Sequence, residues 1–555
     1  MHYNLLIGGA AGQGIDTMAA ILGKLLKKEG YAVLTTPDFM SRIRGGHNFI
    51  LIRFGDGPVY SHSMAIDGMI AFDDETVDLH IDALKPDGFI LCDEKLETVD
   101  KRAIKIRMTE MAKELGNPRV SGSIATGVLL KLFGLSLDGI KEILEQELKA
   151  ALIEVNMKAY DLGFTQVEAR YEKLAADFSD YMIISGNKAL ALGALAAGLR
   201  FYSAYPMSPS TGIMEFLASK SKELDVVVEQ AEDEIAAINM VLGASFAGAR
   251  AMTGTSGGGF SLMVEAIGLS GIAEIPVVIV NAQRPGPATG LPTRTEQSDL
   301  RFAIHASQGE FPRKVIALRH QEDAYRQTLR AFQTAEKYQI PVIILSDQYL
   351  ADGSATIKPF SLPDEHSDDD PETMLPADYK RYQLTEDGIS PRLIPGLTVH
   401  LVNVDSDEHD EQGLITESAE VRKNMVDKRM RKLEGILSEL EEPEFIGSKK
   451  AEVLLLGWGS TWGPIKEAVE LLNQETPDKY CALVFGDVDP LPDKVLKDQA
   501  QRVSSIINIE QNATGQLAGL IREKTGIVCS QSILKYDGRQ IAGEEIALRI
   551  RGVKA

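Results

Sequence analysis

Three times along this chain a short apolar run opens into a turn rich in glycine or proline and then into a stretch with helical apolar spacing. That recurrence limits the fold more than any other feature. The first instance is Leu5-Leu6-Ile7, the loop from Gly8 to Gly14, and the periodic segment from Met18 to Leu26. Further strands are expected at Ala32–Thr35, Phe49–Arg53, Met69–Phe72 and Phe89–Cys92, and helices at Ile124–Phe133 and Leu137–Leu148. The pattern restarts at Gly186: a helix over Lys188–Leu199, a turn at Tyr205–Pro209, a helix over Ile213–Leu217, a strand at Val226–Val228 and a helix over Ile235–Ala247. A glycine turn at Gly257–Gly259 and the apolar runs Ile275–Val280 and Pro341–Leu345 follow. The third instance begins at Val453–Gly457 and continues through Ile465–Leu472, Ala482–Val484 and Ile506–Ile509. Such alternation predicts a multi-domain α/β fold, with a mostly parallel sheet in the second domain.

A length of 555 residues implies about three or four domains. The expected division is an α/β domain over residues 1–155, a polar linker over 156–185, a second α/β domain over 186–353, a connecting and packing segment over 354–448, and a third α/β domain over 449–555. The connecting segment carries acidic runs at Leu362–Asp370 and Ser406–Gln412 and a charged stretch, Lys423–Leu440, that predicts a solvated surface helix. A formal charge of −22 opposes binding to a nucleic-acid backbone. No apolar run reaches the ~18 residues of a membrane span, and the opening residues lack the regions of a signal peptide, so a cytoplasmic protein is expected. Cys92, Cys481 and Cys529 lie far apart, without CxxC spacing and one short of the four thiolates an iron–sulfur cluster usually takes, so any such cluster is expected on another chain.

Several segments invite a chemical reading. The loop Gly8-Gly9-Ala10-Ala11-Gly12-Gln13-Gly14 matches neither GxGxxG nor GxxxxGK[ST], which leaves an anion-holding loop or a tight strand-to-helix turn. Ser41-Arg42-Ile43-Arg44-Gly45-Gly46 is either a basic loop for an anionic ligand or partner, or a surface turn. In Tyr205-Pro206-Met207-Ser208-Pro209-Ser210-Thr211 two prolines stiffen a loop whose hydroxyls orient a substrate or cap the next helix. Among the acids from Glu229 to Glu234, most are explained by the dipole of the following helix. Glu234 stands directly before the apolar run Ile235–Gly243, where it would be partly desolvated. Arg284, at the start of the Pro/Gly-rich loop Arg284–Thr293, carries a planar donor fork suited to a carboxylate, or serves to brace the loop. Thr255-Ser256-Gly257-Gly258-Gly259-Phe260 is a phosphate cradle or a closely packed turn.

Taken in order, these residues resemble the 2-oxoacid:ferredoxin oxidoreductase family, in particular an alpha subunit with a gamma-type domain fused ahead of a thiamine-enzyme pyrimidine-binding domain. The resemblance rests on Gly9–Ile15 and Ser41–Gly46, on Tyr205–Ser210 against the family's Tyr-Pro-Ile-Thr-Pro-Ser loop, and on Gln283–Thr293 against its Arg-Pro-Gly-Pro-Ser-Thr-Gly-x-Pro-Thr loop. Glu408-His409-Asp410-Glu411 and Glu510–Leu517 are similar to its alpha chains as well. It implies a gamma-type domain, a pyrimidine-binding domain and a transketolase-like C-terminal domain. It also implies oxidative decarboxylation of a 2-oxoacid to an acyl-CoA and CO2, with coenzyme A as cosubstrate and electrons passed to ferredoxin. Glu234 would hold the pyrimidine ring of thiamine diphosphate beside Tyr205 and Pro206, and Arg284, Thr293 and Ser208 would bind the substrate. Ser208 stands where the family usually has Thr, and Ala288 where it has Ser. In the family diphosphate and Mg2+ are held through a Gly-Asp-Gly motif followed by an Asn, and no convincing arrangement of that kind occurs here, so those groups and a 4Fe-4S cluster are expected on a beta subunit, in an alpha–beta or (alpha–beta)2 assembly. Arg294, a second basic residue, points to 2-oxoglutarate; pyruvate, branched-chain and indolepyruvate enzymes, or a non-catalytic scaffold, are the alternatives, and a nicotinamide dehydrogenase ranks behind them.

Overall fold

The computed structural model describes residues 1–41, 46–361 and 378–552. The chain forms two compact units: residues 1–185 with 352–359 and 542–555, and residues 186–351 with 360–541. The acidic run at Leu362–Asp370 and most of the basic loop at Ser41–Gly46 fall outside the described residues.

The first unit is built on an eight-stranded sheet in the spatial order Ala103–Ile106, Leu84–Asp93, Ile66–Ala71, His2–Ala10, His47–Gly55, Ala32–Asp38, Ser354–Ile357 and Met182–Ser185. The first four strands run parallel and the remainder pair antiparallel. His2–Ala10 sits in mid-sheet and is buried along most of its length, as expected of a strand covered on both faces. It feeds the helix Ile15–Lys28, whose buried Ile15, Met18, Ile21, Leu22, Leu25 and Leu26 recur at helical spacing. Residues 156–185, expected as a linker, carry the end of the helix Ile153–Phe164 and the edge strand Met182–Ser185. Between them Tyr171 stacks on Phe133 with ring centroids 4.8 Å apart. Isolated apolar anchors among charges hold this stretch in place, and such anchors leave no periodic signal. Residues 354–357 and the helix Gly543–Ile550 also belong to this unit; the Glu544 carboxylate accepts from Ser63 Oγ and Met64 N, both at 2.7 Å.

The second unit holds two sheets. The seven-stranded one runs Asp487–Asp489, Lys314–Ala317, Pro341–Asp347, Val277–Gln283, Ala251–Thr255, Phe201–Ala204 and Val227–Gln230, parallel except for its first strand. The five-stranded one runs Glu444–Gly447, Tyr480–Phe485, Val453–Trp458, Ser505–Glu510 and Gln531–Leu534. The two sheets and their helices share one hydrophobic core that includes Ile238, Phe260, Val277, Leu456, Trp458 and Phe485. Gly257–Gly259, expected as a turn, opens the helix Gly257–Ala273. Lys423–Leu440 is helical, over Ala419–Ser438, but it is no solvated face: Lys428, Arg429 and Lys432 are buried. Lys428 Nζ donates to both oxygens of Glu274 at 2.7 and 2.9 Å, and Lys432 pairs with the same carboxylate. Burial draws the Lys428 ammonium down to about 8 against the pull of Glu274.

Candidate functional site

The chain builds the strand Phe201–Ala204, steps outward to the edge strand Val227–Gln230, and returns to lay Ala251–Thr255 and then Val277–Gln283 on the opposite side of the first. The order therefore reverses between Phe201–Ala204 and Ala251–Thr255, the position at which ligands enter open parallel sheets, outside the carboxyl ends of the strands. The segments leaving those ends are Tyr205–Ser210, Ala231–Glu234, Ser256–Gly259 and the loop from Arg284, which are the segments singled out in the sequence.

Glu234 is the first residue of the helix Glu234–Phe246. Asp233, just before it, performs the capping by accepting from Ala236 N at 2.7 Å, which leaves the Glu234 carboxylate available for other partners. Glu234 is only 4% exposed, and its Oε1 is buried with no hydrogen-bond partner. An orphaned buried acceptor carries a desolvation cost of roughly 1–3 kcal/mol, so this oxygen awaits a donor. Gly259 makes the space: a Cβ there would overlap both Glu234 Oε1 and Thr255 Oγ1. Thr255 Oγ1 in turn lies 3.8 Å from the Met207 sulfur, which brings the Tyr205–Ser210 loop to the same place.

Arg284 follows the strand Val277–Gln283, and its Nη1 donates to the Ser208 carbonyl at 2.8 Å. Burial draws its guanidinium below the ordinary range and the Glu234 charge opposes that shift, so the two charges sense one another. Tyr205 and Ser208 are exposed and Pro206 is half-buried. Thr293 and Arg294 are half-buried farther along the loop, whose downstream end is fixed by Thr295 N donating to the Gly538 carbonyl and Gln297 N to the Gln511 carbonyl. The structure thus joins Glu234, Arg284, Ser208 and the strand-to-helix junction Thr255–Gly259 around one crevice. Thr293 lies on the same loop as Arg284. The Glu510–Leu517 segment is an internal brace: the buried Glu510 carboxylate accepts from Trp458 Nε1, Asn508, Asn512 and the amides of Leu517 and Ala518. Glu408 is likewise structural, paired with Arg422 and Arg429.

The role of Gly259 escaped sequence reading, because nothing in a glycine run tells which member faces a carboxylate. In the first unit the glycine loop lies at the N-terminus of the helix Ile15–Lys28, capped by Gly14 at φ 79°, and borders a cleft of about 620 Å3 lined among others by Gly12, Gln13, Arg119, Ser121 and Asn156. Among the described residues no group of three His, Cys, Asp or Glu side chains could hold a metal ion, and no helix is long and apolar enough to cross a membrane. Burial pushes all three thiols up to about 11.

Comparison with known proteins agrees with this fold. Residues 192–428 match the family described as pyruvate flavodoxin/ferredoxin oxidoreductase, thiamine diphosphate-binding, and residues 4–166 match pyruvate ferredoxin/flavodoxin oxidoreductase. The chain is 33% identical to the 2-oxoacid:ferredoxin oxidoreductase subunit alpha of Sulfolobus sp. over 98% of its own length and 96% of that protein. It is 34% identical to the 2-oxoglutarate oxidoreductase subunit KorA of Mycobacterium tuberculosis over 80% of its length and 70% of that protein. A solved structure, the 2-oxoglutarate:ferredoxin oxidoreductase of Magnetococcus marinus with 2-oxoglutarate, coenzyme A and succinyl-CoA bound, superposes with a TM-score of 0.90 at 32% identity, covering 99% of both chains.

Proposed function

The chain belongs to the family of 2-oxoacid:ferredoxin oxidoreductase alpha subunits, and from that premise we propose that it supplies half of an active site that decarboxylates a 2-oxoacid oxidatively to an acyl-CoA, with 2-oxoglutarate as the preferred substrate. The observation that carries this reading is the buried, unpartnered Oε1 of Glu234 at the strand-order reversal. That atom suits a pyrimidine ring, whose N1′ offers a site for a shared proton. When bound, thiamine diphosphate supplies the carbon nucleophile and the electron sink for decarboxylation. Glu234 keeps a proton at N1′, in a place where Gly259 leaves room and burial keeps water away. Tyr205 and Pro206 border the ring. Arg284, oriented by the Ser208 carbonyl, grips the substrate carboxylate, and the hydroxyls of Ser208 and Thr293 steady the oxo group.

The other half of the site, with diphosphate, Mg2+ and a 4Fe-4S cluster that passes electrons to ferredoxin, is assigned to a beta subunit, in one alpha–beta pair or two. Exposed apolar side chains near the crevice support such a partner: Tyr205, Val227, Ile235, Met240, Leu262 and Leu291. Coenzyme A is assigned to the cleft of the first unit, where the helix N-terminus and Arg119 suit its phosphates. The assembly is placed in the cytoplasm.

The test is co-purification with the native partner, followed by ferredoxin or viologen reduction over a panel of 2-oxoacids with coenzyme A. The wild type is expected to favour 2-oxoglutarate, and Glu234→Gln to lose turnover while the subunits still associate. Undiminished turnover in that variant would remove Glu234 from the chemistry. Expressed alone, the chain is expected to be colourless and inactive; unaided turnover would overturn the division of the site.

A further inference from the structure

The loop that begins at Arg284 is held at both feet on two neighbouring strand ends. At its entry, Gln283 Nε2 donates to the Ser346 carbonyl at 3.1 Å, and Gln283 Oε1 accepts from Asp299 N, beyond the loop's exit, at 3.0 Å. Gln283 and Asp347 face each other in the register of the parallel strands Val277–Gln283 and Pro341–Asp347. Asp347 Oδ1 accepts from Thr295 Oγ1 at 3.3 Å and from Leu350 N at 3.1 Å, while Thr295 Oγ1 accepts from Tyr349 N at 3.3 Å. Thr295 lies two residues beyond Thr293.

Resting on the reading of the site given above, we propose that Asp347 is a positioning residue for substrate binding: through Thr295 it fixes the loop that presents Arg284 and Thr293 to the 2-oxoacid. Asp347 is 2% exposed. Burial pushes its carboxyl up to about 6, against the opposing pull of the Ser460 hydroxyl, the Leu350 amide, the Thr295 hydroxyl and the Tyr349 amide. A carboxylate held in this way is costly, and a neutral amide or an apolar side chain would fill the position at lower cost unless the stiffness of a charge-assisted bond were used. Hydroxyl and amide donors converge on one oxygen, so the bond locks Thr295 in one rotamer and sets the height of the loop above the sheet. A loop displaced there moves the carboxylate anchor and leaves the buried Glu234 untouched. The mark of Asp347 is therefore on affinity for the 2-oxoacid and not on cofactor binding.

The experiment uses the complete complex with thiamine diphosphate and coenzyme A, and 2-oxoglutarate as the probe. Asp347→Asn is expected to raise KM for 2-oxoglutarate about tenfold, equivalent to ~1.4 kcal/mol, with kcat within about threefold and both KM for coenzyme A and the affinity for thiamine diphosphate unchanged. Thr295→Val should reproduce the effect, Thr295→Ser should restore wild-type KM, and the Asp347→Asn/Thr295→Val double variant should be no worse than either single one. An unchanged KM in both single variants, or additive effects in the double, would overturn the proposal. If Asp347→Asn does not fold, the Thr295→Val and Thr295→Ser pair decides alone, because a wild-type KM in the former is then fatal. A wild-type complex inactive on every 2-oxoacid would remove the reading of the site and this inference with it; an active wild type with unaffected variants removes only this inference.

Discussion

Adding one methyl group at Gly259 tests the heart of the site without replacing any of the side chains assigned to the chemistry. The residue sits in the first turn of the helix Gly257–Ala273, and its φ is not in the left-handed region, so alanine suits the backbone. Helix propensity alone would favour the change by about 0.5–1 kcal/mol. The new Cβ, however, would coincide with space now held by Glu234 Oε1 and Thr255 Oγ1. The Thr255 backbone is fixed in a fully buried central strand, so the carboxylate must give way, by roughly 1 Å, a displacement that can cost about a hundredfold in rate. Gly259→Ala is therefore expected to lower kcat for 2-oxoacid-dependent viologen reduction about a hundredfold and to weaken thiamine diphosphate binding, while the overpacking, at roughly 1–3 kcal/mol, outweighs the propensity gain and lowers the Tm of the chain modestly. Calorimetric titration of the cofactor and a thermal melt accompany the kinetics. A variant with kcat within twofold of wild type would refute the placement of Glu234 against the ring.

Other perturbations probe other parts of the molecule. Arg284→Ala is expected to raise KM for the 2-oxoacid and lower kcat as well, because the carboxylate is gripped in the transition state too; a wild-type KM contradicts the anchor. Glu274→Gln strands two buried lysines, and a loss of roughly 3–5 kcal/mol in urea unfolding is expected, whereas a loss below about 1 kcal/mol would show the lysines to be solvated. The Lys428 ammonium is depressed in the folded state from 10.5 to about 8, so between those values the unfolded chain holds a proton that the folded chain has released. Its contribution to stability is complete above the unfolded value and is lost as pH falls towards 8, so the urea midpoint of wild type relative to Lys428→Met should rise from pH 8 to pH 10. A flat difference would contradict the shift. Glu544→Ala removes the bonds to Ser63 and Met64, and limited proteolysis should then cut at the helix Gly543–Ile550 sooner than in wild type; equal rates would show that those bonds do not hold the helix.

Local pattern determined a good deal of this protein. Runs such as Leu5–Ile7, Val277–Val280 and Leu454–Leu456 could only be interior strands, because a strand covered by helices on both faces must be apolar at every position and not at alternate ones. The segments that follow the strands Phe201–Ala204, Val227–Gln230 and Val277–Gln283 carry Tyr205–Ser210, Glu234 and Arg284, and these meet at the crevice, since parallel strands deliver their carboxyl ends to one edge. What the pattern could not reveal depends on partners distant along the chain. Lys428 finds Glu274 from 154 positions away, which turns a charged helix that reads as solvated into a buried one. Strand Ser354–Ile357 and helix Gly543–Ile550 return to the first unit after long excursions through the second. Strand Lys314–Ala317 passes unnoticed because its lysine is neutralised by Asp487 in the fold, not by a neighbour in sequence. Gly259 and Asp347 belong to the same class. Periodicity reports which face of an element is dry, whereas the identity of the atom across that face, and whether it leaves an oxygen without a donor, is decided only when the elements pack.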